Sequence, residues 1–519
     1  MTGDSNDRSV VRRDRFSGGP ADEFVSSLAA DERIFAADLA VDRAHVVMLA
    51  EQGIVDADTA GAVLAALDDV EAAGHAALPA GEDVHEAIET AVVERVGPDG
   101  GRMHTARSRN DEVAACIRLR LRTDLLAAVE ATLDLRATLS SVAEAEVETV
   151  MPGFTHLQPA QPTTVGHWAL SYERAVARDT DRLLAAVDRT NASPLGAAAF
   201  AGTTFDVDRE RVATLLGFDR VLSNAADAVT ARDFLLEATA ALSTHAVTLS
   251  GVAEDLVVFA SRGFVEVDDA YASTSSIMPQ KVNPDTLELV RAVAGDAAGD
   301  LNALLTTLKG LPRAYNRDLQ RATGHSWDAV DAVTAATEVT AGAVATADWP
   351  ADALAAAAGD GFSTATGVAD LLAAAGVPFR TAHEVVARAA ETADGTPDRE
   401  TLAAAAEAVL GESPSAYVDA AALEAALDPV DGAGGAPGRP DRRRRAAPGR
   451  RGGVSRVTAV DSADRPVPAL TGVDAHRRGR PVPPRPGRSQ FRPTNILRRT
   501  RPDAELPSGG LRTRSEAST

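Results

Sequence analysis

An uninterrupted helical pattern of about 40 residues constrains the fold of this chain more than any other feature of its sequence. From Asp111 to about Val150, apolar residues recur at the three- and four-residue spacing of one helix face, and Pro152-Gly153 ends the pattern. Four more long patterns follow, at about residues 165–190, 227–258, 286–309 and 326–346. Helices this long bury their apolar faces best by packing along their whole length. The sequence therefore predicts a long-helix bundle.

The composition supports an all-α fold. Ala is the dominant apolar residue and aromatic residues make up only 4% of the chain, so the β-branched and aromatic runs expected of strands are scarce. Shorter helical patterns precede the bundle, at residues 31–52 and 56–73, and others follow Trp349-Pro350. We predict three domains, namely an N-terminal helical domain (residues 1–108), a central helix-bundle domain (residues 109–349) and a small helical C-terminal domain (residues 350–430).

Net charge divides the chain into two parts. Residues 1–430 contain 32 basic and 67 acidic residues, whereas residues 431–519 contain 20 Arg and 8 acidic residues, so the net charges are −35 and +12. Only two of the 52 basic residues are lysines, Lys281 and Lys309. So acidic a surface repels itself unless salt screens the charges, and we interpret the first part as adapted to high salt. An ordinary acidic protein is the alternative.

The basic segment at residues 431–519 is rich in Arg, Pro and Gly and has no hydrophobic period, so it is predicted to be disordered. Its run of four arginines, Arg442–Arg445, could contact nucleic acid or anionic lipid. The abrupt change of composition also matches what a shifted reading frame in a GC-rich gene would produce. We favour a tail that activity does not need, and the acidic body argues against a nucleic-acid or membrane partner.

Several classes of chemistry lack support in the sequence. The single cysteine, Cys116, excludes a disulfide framework within the chain and a multi-cysteine metal site. No P-loop, no GxGxxG after a strand and no HExxH is present, so nucleotide-phosphate and zinc chemistry are not indicated. The chain has no apolar N-terminal segment and no apolar run long enough to span a bilayer, which predicts a cytoplasmic protein.

Unusual polar residues are concentrated in four segments between the long helices, at residues 104–112, 153–162, 273–285 and 311–320. In the first segment, Arg107 and Arg109 offer forked donors that suit carboxylates. His156 in the second is a candidate general acid or base, and Lys281 in the third is a compact positive charge. Each segment taken alone could be a helix cap or a structural turn. Four of them at the joints of one bundle indicate a binding or catalytic site.

The same segments carry a family resemblance. The loop SSIMPQKVNPD resembles the signature of the fumarase/aspartase superfamily, all-α lyases that release fumarate. HTARSRND, GFTHLQPAQP, DAVTARDF and GLPRAYNRDLQ are similar to segments of the argininosuccinate lyase family and follow its order, over about residues 10–430. The resemblance implies a homotetramer whose subunits share active sites and need no metal or organic cofactor. It implies the reversible elimination of arginine from argininosuccinate to give fumarate, the last step of arginine biosynthesis.

The resemblance also implies roles for individual residues. Ser275 and His156 would be the acid–base pair, with His156 oriented by Glu288, and we favour Ser275 as the base. Lys281 and Asn283 would stabilise the doubly charged aci-carboxylate that forms when a proton leaves the carbon beside a carboxylate, each such donor being worth about 3–4 kcal/mol. The substrate-binding positions would be Ser27, His85, Arg109, Asn110, Thr155, Asn283, Tyr315 and Gln320.

Some positions depart from the family's pattern, and these are Thr274 (usually Gly), Val282 (commonly Lys), Ala106 (usually Gly) and Glu112 (usually Gln). Thr323 stands where the family commonly has a substrate-binding Lys, and Arg317 or Arg321 could supply that contact instead. Two alternatives stay open. A sister lyase, such as adenylosuccinate lyase or fumarase, usually lacks Gln280 and the HTxRSRND segment. A catalytically silent homologue would not need the intact Ser275 and Lys281.

Overall fold

The computed structural model describes residues 21–432. The chain begins with α1 (Asp22–Val25), α2 (Phe35–Glu51), α3 (Ala57–Ala73) and α4 (Val84–Val96). The central part contains α5 (Arg109–Ala145), β1 (Val150–Thr155), β2 (Gln158–Thr164), α6 (Val165–Thr190), β3 (Ala192–Ser193), α7 (Arg209–Leu215), β4 (Arg220–Val221), α8 (Ala225–Thr230), α9 (Asp233–Ser261), β5 (Ser273–Thr274), β6 (Val282–Asn283), α10 (Asp285–Leu308) and α11 (Asp318–Thr346). It ends with α12 (Ala351–Gly359), α13 (Ala365–Ala374), α14 (Phe379–Thr392), α15 (Arg399–Leu410), α16 (Ala420–Leu427) and α17 (Pro429–Gly432). Beyond residue 432, the predicted tail lies outside the described residues.

The long helices α5, α6, α9, α10 and α11 form the bundle that the sequence predicts. One hydrophobic cluster runs through all five, and Leu125, Leu183, Leu249, Leu304 and Val330 are fully buried members of it. Successive long helices pack against each other, so consecutive segments of the chain run back and forth along the bundle. The prediction of an all-α, long-helix fold is confirmed, since the described strands form only short two-stranded sheets.

The two largest of the other hydrophobic clusters in residues 21–432 lie mainly outside the bundle. The first joins α2, α3 and α4 to the start of α5, where Cys116 and Leu119 are members. The second joins α13 to α16 through residues such as Leu372 and Leu402. Because α5 contributes to both the bundle and the N-terminal cluster, the boundary predicted at residue 108 is crossed by a shared core. The division into domains stays a prediction.

Side-chain caps determine where several helices begin. At the start of α5, Ser108 Oγ accepts a hydrogen bond from the Asn110 N–H at 3.3 Å, and Asp111 Oδ1 accepts one from the Ser108 N–H at 3.1 Å. This reciprocal capping box satisfies backbone donors that have no partner within the helix. Asp56 and Thr164 cap α3 and α6 more simply, because each accepts one backbone hydrogen bond through a side-chain oxygen.

Two long helices do not begin at the residues that the apolar periodicity predicts. The pattern at residues 227–258 is split into α8 and α9 at Ala231 and Arg232, where Arg232 NH1 donates to the Val229 and Ala231 carbonyls at 3.1 and 2.9 Å. These bonds occupy carbonyls that a continuous helix would use. Helix α11 begins at Asp318, earlier than the predicted residue 326, and continues through Gly324. Among the helices of residues 21–432, none is long and apolar enough to cross a membrane.

Candidate active site

A cavity of about 970 Å³ lies at the end of the bundle where α5 begins and α10 turns into α11. Its walls come from residues 26–34, the start of α4, the start of α5 and the first turns of α11. Six of the predicted substrate-binding residues line it, namely Ser27, His85, Arg109, Asn110, Tyr315 and Gln320. These residues are far apart in sequence, and the antiparallel packing of long helices brings them together at one end.

Hydrogen bonds within the protein hold most of these side chains in place. Ser27 Oγ donates to Asp31 at 2.6 Å, and Arg109 NH1 is 2.8 Å from Asp83. Asn110 Nδ2 donates to the Ala199 carbonyl at 3.1 Å. Gln320 Nε2 donates to the Val25 carbonyl at 3.2 Å. The wall of the cavity is therefore ordered by contacts that do not depend on a ligand.

His85 sits at the bottom of this wall and is held by a buried carboxylate. Its Nδ1 is 2.8 Å from Asp38 Oδ2 and 3.8 Å from Glu112 Oε1. Burial opposes protonation of the imidazole, but the Asp38 and Glu112 carboxylates outweigh it and raise the pKa of His85 well above its usual value. His85 is therefore a positively charged part of the cavity wall at neutral pH.

Arg107 has a structural role that the sequence did not indicate. Its guanidinium is 2.6 Å from Asp42 and 2.9 Å from Glu112, and the three side chains are only 2% exposed. The Arg107 guanidinium, which we expected to bind a ligand carboxylate, is thus bound to two carboxylates of the protein itself. Glu112, a departure from the family's Gln, is the partner of Arg107. Burial raises the pKa of Glu112 well above its usual value and that of Asp42 to about 6, although Arg107 lowers both.

Donor atoms in this network approach the spacing of a metal site. Asp38, His85 and Cys116 form one such group, and Asp38, Asp42 and Glu112 form another, with ligand atoms within 4.8 Å of one another. Positive charge is already supplied to both groups by Arg107 and the protonated His85, and the Cys116 thiol donates to Asp38 at 3.3 Å. The donor set therefore fits an ion-pair network better than a cation site. Asp38 and Asp42 lie in α2, where no motif of the sequence pointed to them.

The buried His45 beside this network should make the protein sensitive to acid. Its Nε2 is 2.8 Å from the Thr105 carbonyl oxygen, and burial, together with the charge of Arg107, lowers its pKa from 6.5 to about 3. The folded protein keeps this imidazole neutral while the unfolded chain protonates it. His45 therefore contributes stability at neutral pH that is lost progressively as pH falls from 6.5 towards 3.

We expect His45→Gln, whose amide can still donate to Thr105, to weaken the acid dependence of unfolding. Between pH 6 and pH 4, the slope of unfolding free energy against pH should be shallower than wild type by about 1.4 kcal/mol per pH unit. Denaturant unfolding followed by circular dichroism at several pH values measures the slope. His75→Gln is the control, because His75 Nε2 also lies 2.9 Å from a carbonyl, that of Leu28, but is less buried. If the unfolding free energy of wild type and of His45→Gln changes with pH at the same slope, His45 is not a source of the acid sensitivity.

Arg232 is a second buried cation that the sequence left unassigned. It lines the cavity, and its side chain bonds only to backbone carbonyls in the described part of the chain. Its Nε and NH2 atoms are buried without a hydrogen-bond partner there. Burial lowers its pKa to about 10, so it stays charged at neutral pH. A buried positive charge with no carboxylate beside it favours anionic ligands in the adjoining cavity.

The other predicted residues lie at the opposite end of the bundle. Thr155 and His156 follow the far end of α5, whose 37 residues span about 55 Å. Ser275, Lys281, Asn283 and Glu288 precede or begin α10, whose 24 residues span about 36 Å before reaching the cavity. A single chain therefore gathers one group of predicted residues at the cavity and leaves the others at the opposite end of the bundle.

His156 is presented at the tip of the β1–β2 hairpin. Thr155 pairs with Gln158, so His156 and Leu157 form a two-residue turn. Both have left-handed backbone angles, with φ of 57° and 58°, which is unfavourable for residues other than glycine. Arg262 holds the hairpin by donating to the Leu157 carbonyl at 3.2 Å and lying over the Phe154 ring. The imidazole of His156 is thereby exposed at the end of the bundle.

Ser275 and Lys281 are brought together by the small sheet of β5 and β6. Ser273 pairs with Asn283, and the family departures Thr274 and Val282 are partners in the same register. Ser275 Oγ accepts hydrogen bonds from the backbone N–H groups of Ile277 and Met278, at 3.3 and 3.1 Å. Donors that point at a hydroxyl oxygen stabilise its deprotonated form, which suits a residue that must accept a proton.

The fold and this distribution of polar residues define an all-α lyase of the fumarase/aspartase superfamily. A solved structure described as EDDS lyase in complex with formate has a TM-score of 0.68 to this chain at 31% identity, covering 80% of this chain and 84% of that one. A family model described as Lyase matches residues 20–299, and one described as Argininosuccinate lyase C-terminal matches residues 362–430. The chain belongs to the argininosuccinate lyase family.

Curated relatives support this membership across most of the chain. The argininosuccinate lyase of Natronomonas pharaonis is 72% identical over 430 residues, which are 83% of this chain and 87% of the relative. That of Haloarcula marismortui is 70% identical over 431 residues, or 82% and 86% of the two chains. Both relatives come from halophiles, which fits the interpretation of the acidic, Lys-poor body as salt-adapted.

Proposed function

We propose that this protein catalyses the reversible elimination of arginine from argininosuccinate, which releases fumarate and is the last step of arginine biosynthesis. The observation that carries the proposal is the cavity, where six family-matched substrate residues converge beside the buried cations His85 and Arg232. Such a wall, which also contains Asp31 and Asp328, suits a ligand that carries both carboxylate and amino groups.

The chemistry needs a base and donors for the charge that develops. Removing a proton from the carbon beside a carboxylate gives an aci-carboxylate, and preorganised donors lower the barrier to its formation. We assign the base to Ser275 and the donors to Lys281 and Asn283, which the β5–β6 pairing places on one loop. The backbone donors at Ser275 Oγ support this assignment, because they favour its deprotonated form.

The departing arginine needs a proton on its nitrogen. We assign this step to His156, because an imidazole can give up a proton near neutral pH. Glu288 would orient the imidazole, as the family resemblance implies. Both side chains are exposed at the far end of the bundle, with no hydrogen bond between them in the described residues of a single chain. We propose that the two side chains meet when subunits assemble.

We propose a cytoplasmic homotetramer in which the two groups of residues meet across subunits. The lengths of α5 and α10 keep Lys281 tens of ångströms from Gln320 within one chain. Large apolar side chains are also exposed along the bundle, including Val247 at 65%, Leu289 at 68% and Leu305 at 50%. Burying such a face between long helices is a common basis for stable assembly.

Mixing two inactive variants tests the shared site. Lys281→Ala removes a residue of the far group, and Gln320→Ala removes one from the cavity. When the two are co-expressed, activity should return to about one quarter of wild type, since each site draws its two groups from different subunits at random. Each variant alone should remain strongly impaired. If the co-expressed mixture is no more active than the single variants, one subunit supplies the whole site.

Substrate choice separates the proposed activity from the alternatives. Fumarate absorbance at high salt should rise on addition of argininosuccinate and not of adenylosuccinate, malate or aspartate. A rise with adenylosuccinate or malate would identify a sister lyase. A protein that assembles but produces no fumarate from any of these would be a silent homologue.

A further inference from the structure

The cations that line the cavity are almost all neutralised or engaged within the protein. His85 is beside Asp38, His104 lies 3.2 Å from Glu89, and His325 lies 3.5 Å from Asp300. Arg109 and Arg317 pair with acidic side chains, whereas Arg232 keeps its charge but is buried, and its NH1 donates to two backbone carbonyls. Arg321 is the exception, since no hydrogen bond or ion pair joins its side chain to any other described residue.

Arg321 is placed where a ligand can reach it. It lies in the first turn of α11, directly after Gln320, and its side chain is exposed on the cavity wall. Gly324, one turn further on, also lines the cavity, and a side chain added there would meet nothing within 4 Å. The cavity is therefore open beside α11 one turn beyond Arg321. Thr323 cannot supply a charge, and its hydroxyl donates to the Leu319 carbonyl at 3.3 Å.

The cavity also needs a free cation on electrostatic grounds. Glu82 and Asp83 are paired with Arg317 and Arg109, but the same wall also contains Asp31 and Asp328, which suit the positively charged amino group of an amino acid. The carboxylate of that amino acid would be repelled by them unless a cation stood nearby. A guanidinium can bind a carboxylate through two parallel hydrogen bonds and is less strongly hydrated than an ammonium, so it suits this task even in concentrated salt.

We propose that Arg321 binds the α-carboxylate of the arginine half of the substrate and so makes the site specific for an α-amino acid product. This inference rests on the proposed function. The succinyl half is assigned to Lys281 and Asn283 from the far group, which leaves the amino-acid end of the ligand to the residues of the cavity. Arg321 thereby has a role that Arg317, engaged by Glu82, does not share.

Arginine and agmatine test the proposal, because agmatine is arginine without its carboxylate. Equilibrium dialysis measures the binding of each to the wild-type assembly and to Arg321→Ala. Wild type should prefer arginine by at least about tenfold, the typical effect of one charge-assisted contact. In Arg321→Ala, the affinity for arginine should fall by about the same factor and that for agmatine should not change. Arg321→Lys should keep part of the preference.

Arg313→Ala is the matched control, because Arg313 lies in the same α10–α11 turn but pairs with Asp227 outside this cavity. It should leave both affinities unchanged. The proposal is overturned if Arg321→Ala still prefers arginine to agmatine as strongly as wild type does. It is also overturned if the substitution lowers the affinities for arginine and agmatine by the same factor. Circular dichroism and size-exclusion chromatography establish that the variants are folded and assembled. If wild type fails to bind arginine or to release fumarate from argininosuccinate, the proposed function itself fails, and the inference falls with it.

Discussion

Replacing Ser275 with Ala is expected to lower kcat for fumarate release by about 10²–10⁴-fold while the assembly stays intact. The substitution removes the proposed base, and the backbone N–H groups of Ile277 and Met278 lose the oxygen to which they donate. No other hydroxyl of the loop receives this pair of hydrogen bonds. Fumarate absorbance gives kcat and KM, and size-exclusion chromatography at high salt gives the assembly state.

Ser276→Ala is the control for Ser275→Ala, since Ser276 is adjacent, also a serine and more exposed. We expect Ser276→Ala to change kcat far less than Ser275→Ala does. KM should change little in both variants if the loop keeps its shape, because the cavity residues that bind the arginine half are unaltered. A kcat near wild type in Ser275→Ala, or an equal loss in both variants, would show that the base lies elsewhere.

Replacing Arg107 with Met is expected to lower the free energy of unfolding by about 3–5 kcal/mol at pH 8, although Arg107 touches no ligand in our proposal. The substitution keeps much of the apolar volume and removes the guanidinium that lies 2.6 Å from Asp42 and 2.9 Å from Glu112. An uncompensated carboxylate in a buried site is strongly destabilising. Denaturant unfolding at constant salt measures the difference.

The destabilisation by Arg107→Met should be smaller at pH 5 than at pH 8. The pKa of Asp42 is already about 6 beside Arg107, and it rises further when the guanidinium is removed. At pH 5 the Asp42 carboxyl is therefore protonated and buried without a charge. Arg43→Met is the control, because Arg43 pairs with the exposed Asp68 and Glu71 and should contribute at most about 1 kcal/mol. Equal effects of the two substitutions would refute the assignment of Arg107 as a buried structural charge.

Local sequence signals predicted most of the helices because they act within a few residues. The apolar spacing from Asp111 to Val150 identified α5, and Ser108 with Asp111 forms the capping box at its start. The second polar segment contains Pro159 and Pro162, which disfavour a helix, and the structure has a strand there. The start of α9 was predicted wrongly because apolar periodicity does not report the backbone break at Ala231 and Arg232, where the Arg232 guanidinium binds backbone carbonyls.

The motifs located the candidate site residues without indicating which of them share a cavity or which are buried. Arg107 and Arg109 are two residues apart and looked equivalent as carboxylate donors. The structure buries Arg107 against Asp42 of α2 and places Arg109 on the cavity wall beside Asp83. Asp38 and Asp42 carried no signal in the sequence, since a carboxylate on a helix is ordinarily a solvated residue. Their role depends on Arg107 and His85, which come from other parts of the chain.

The sequence by itself determined the long-helix architecture, the helix caps and the family to which the chain belongs, because periodicity, capping and motifs are properties of neighbouring residues. Only the tertiary structure decided how charge is distributed around the cavity. Burial and pairing depend on side chains brought together from α2, α4, α5 and α11, and they determine that Arg107 is neutralised in the core while Arg321 stays available to a ligand. The two arginines have the same chemistry, and their surroundings give them different roles.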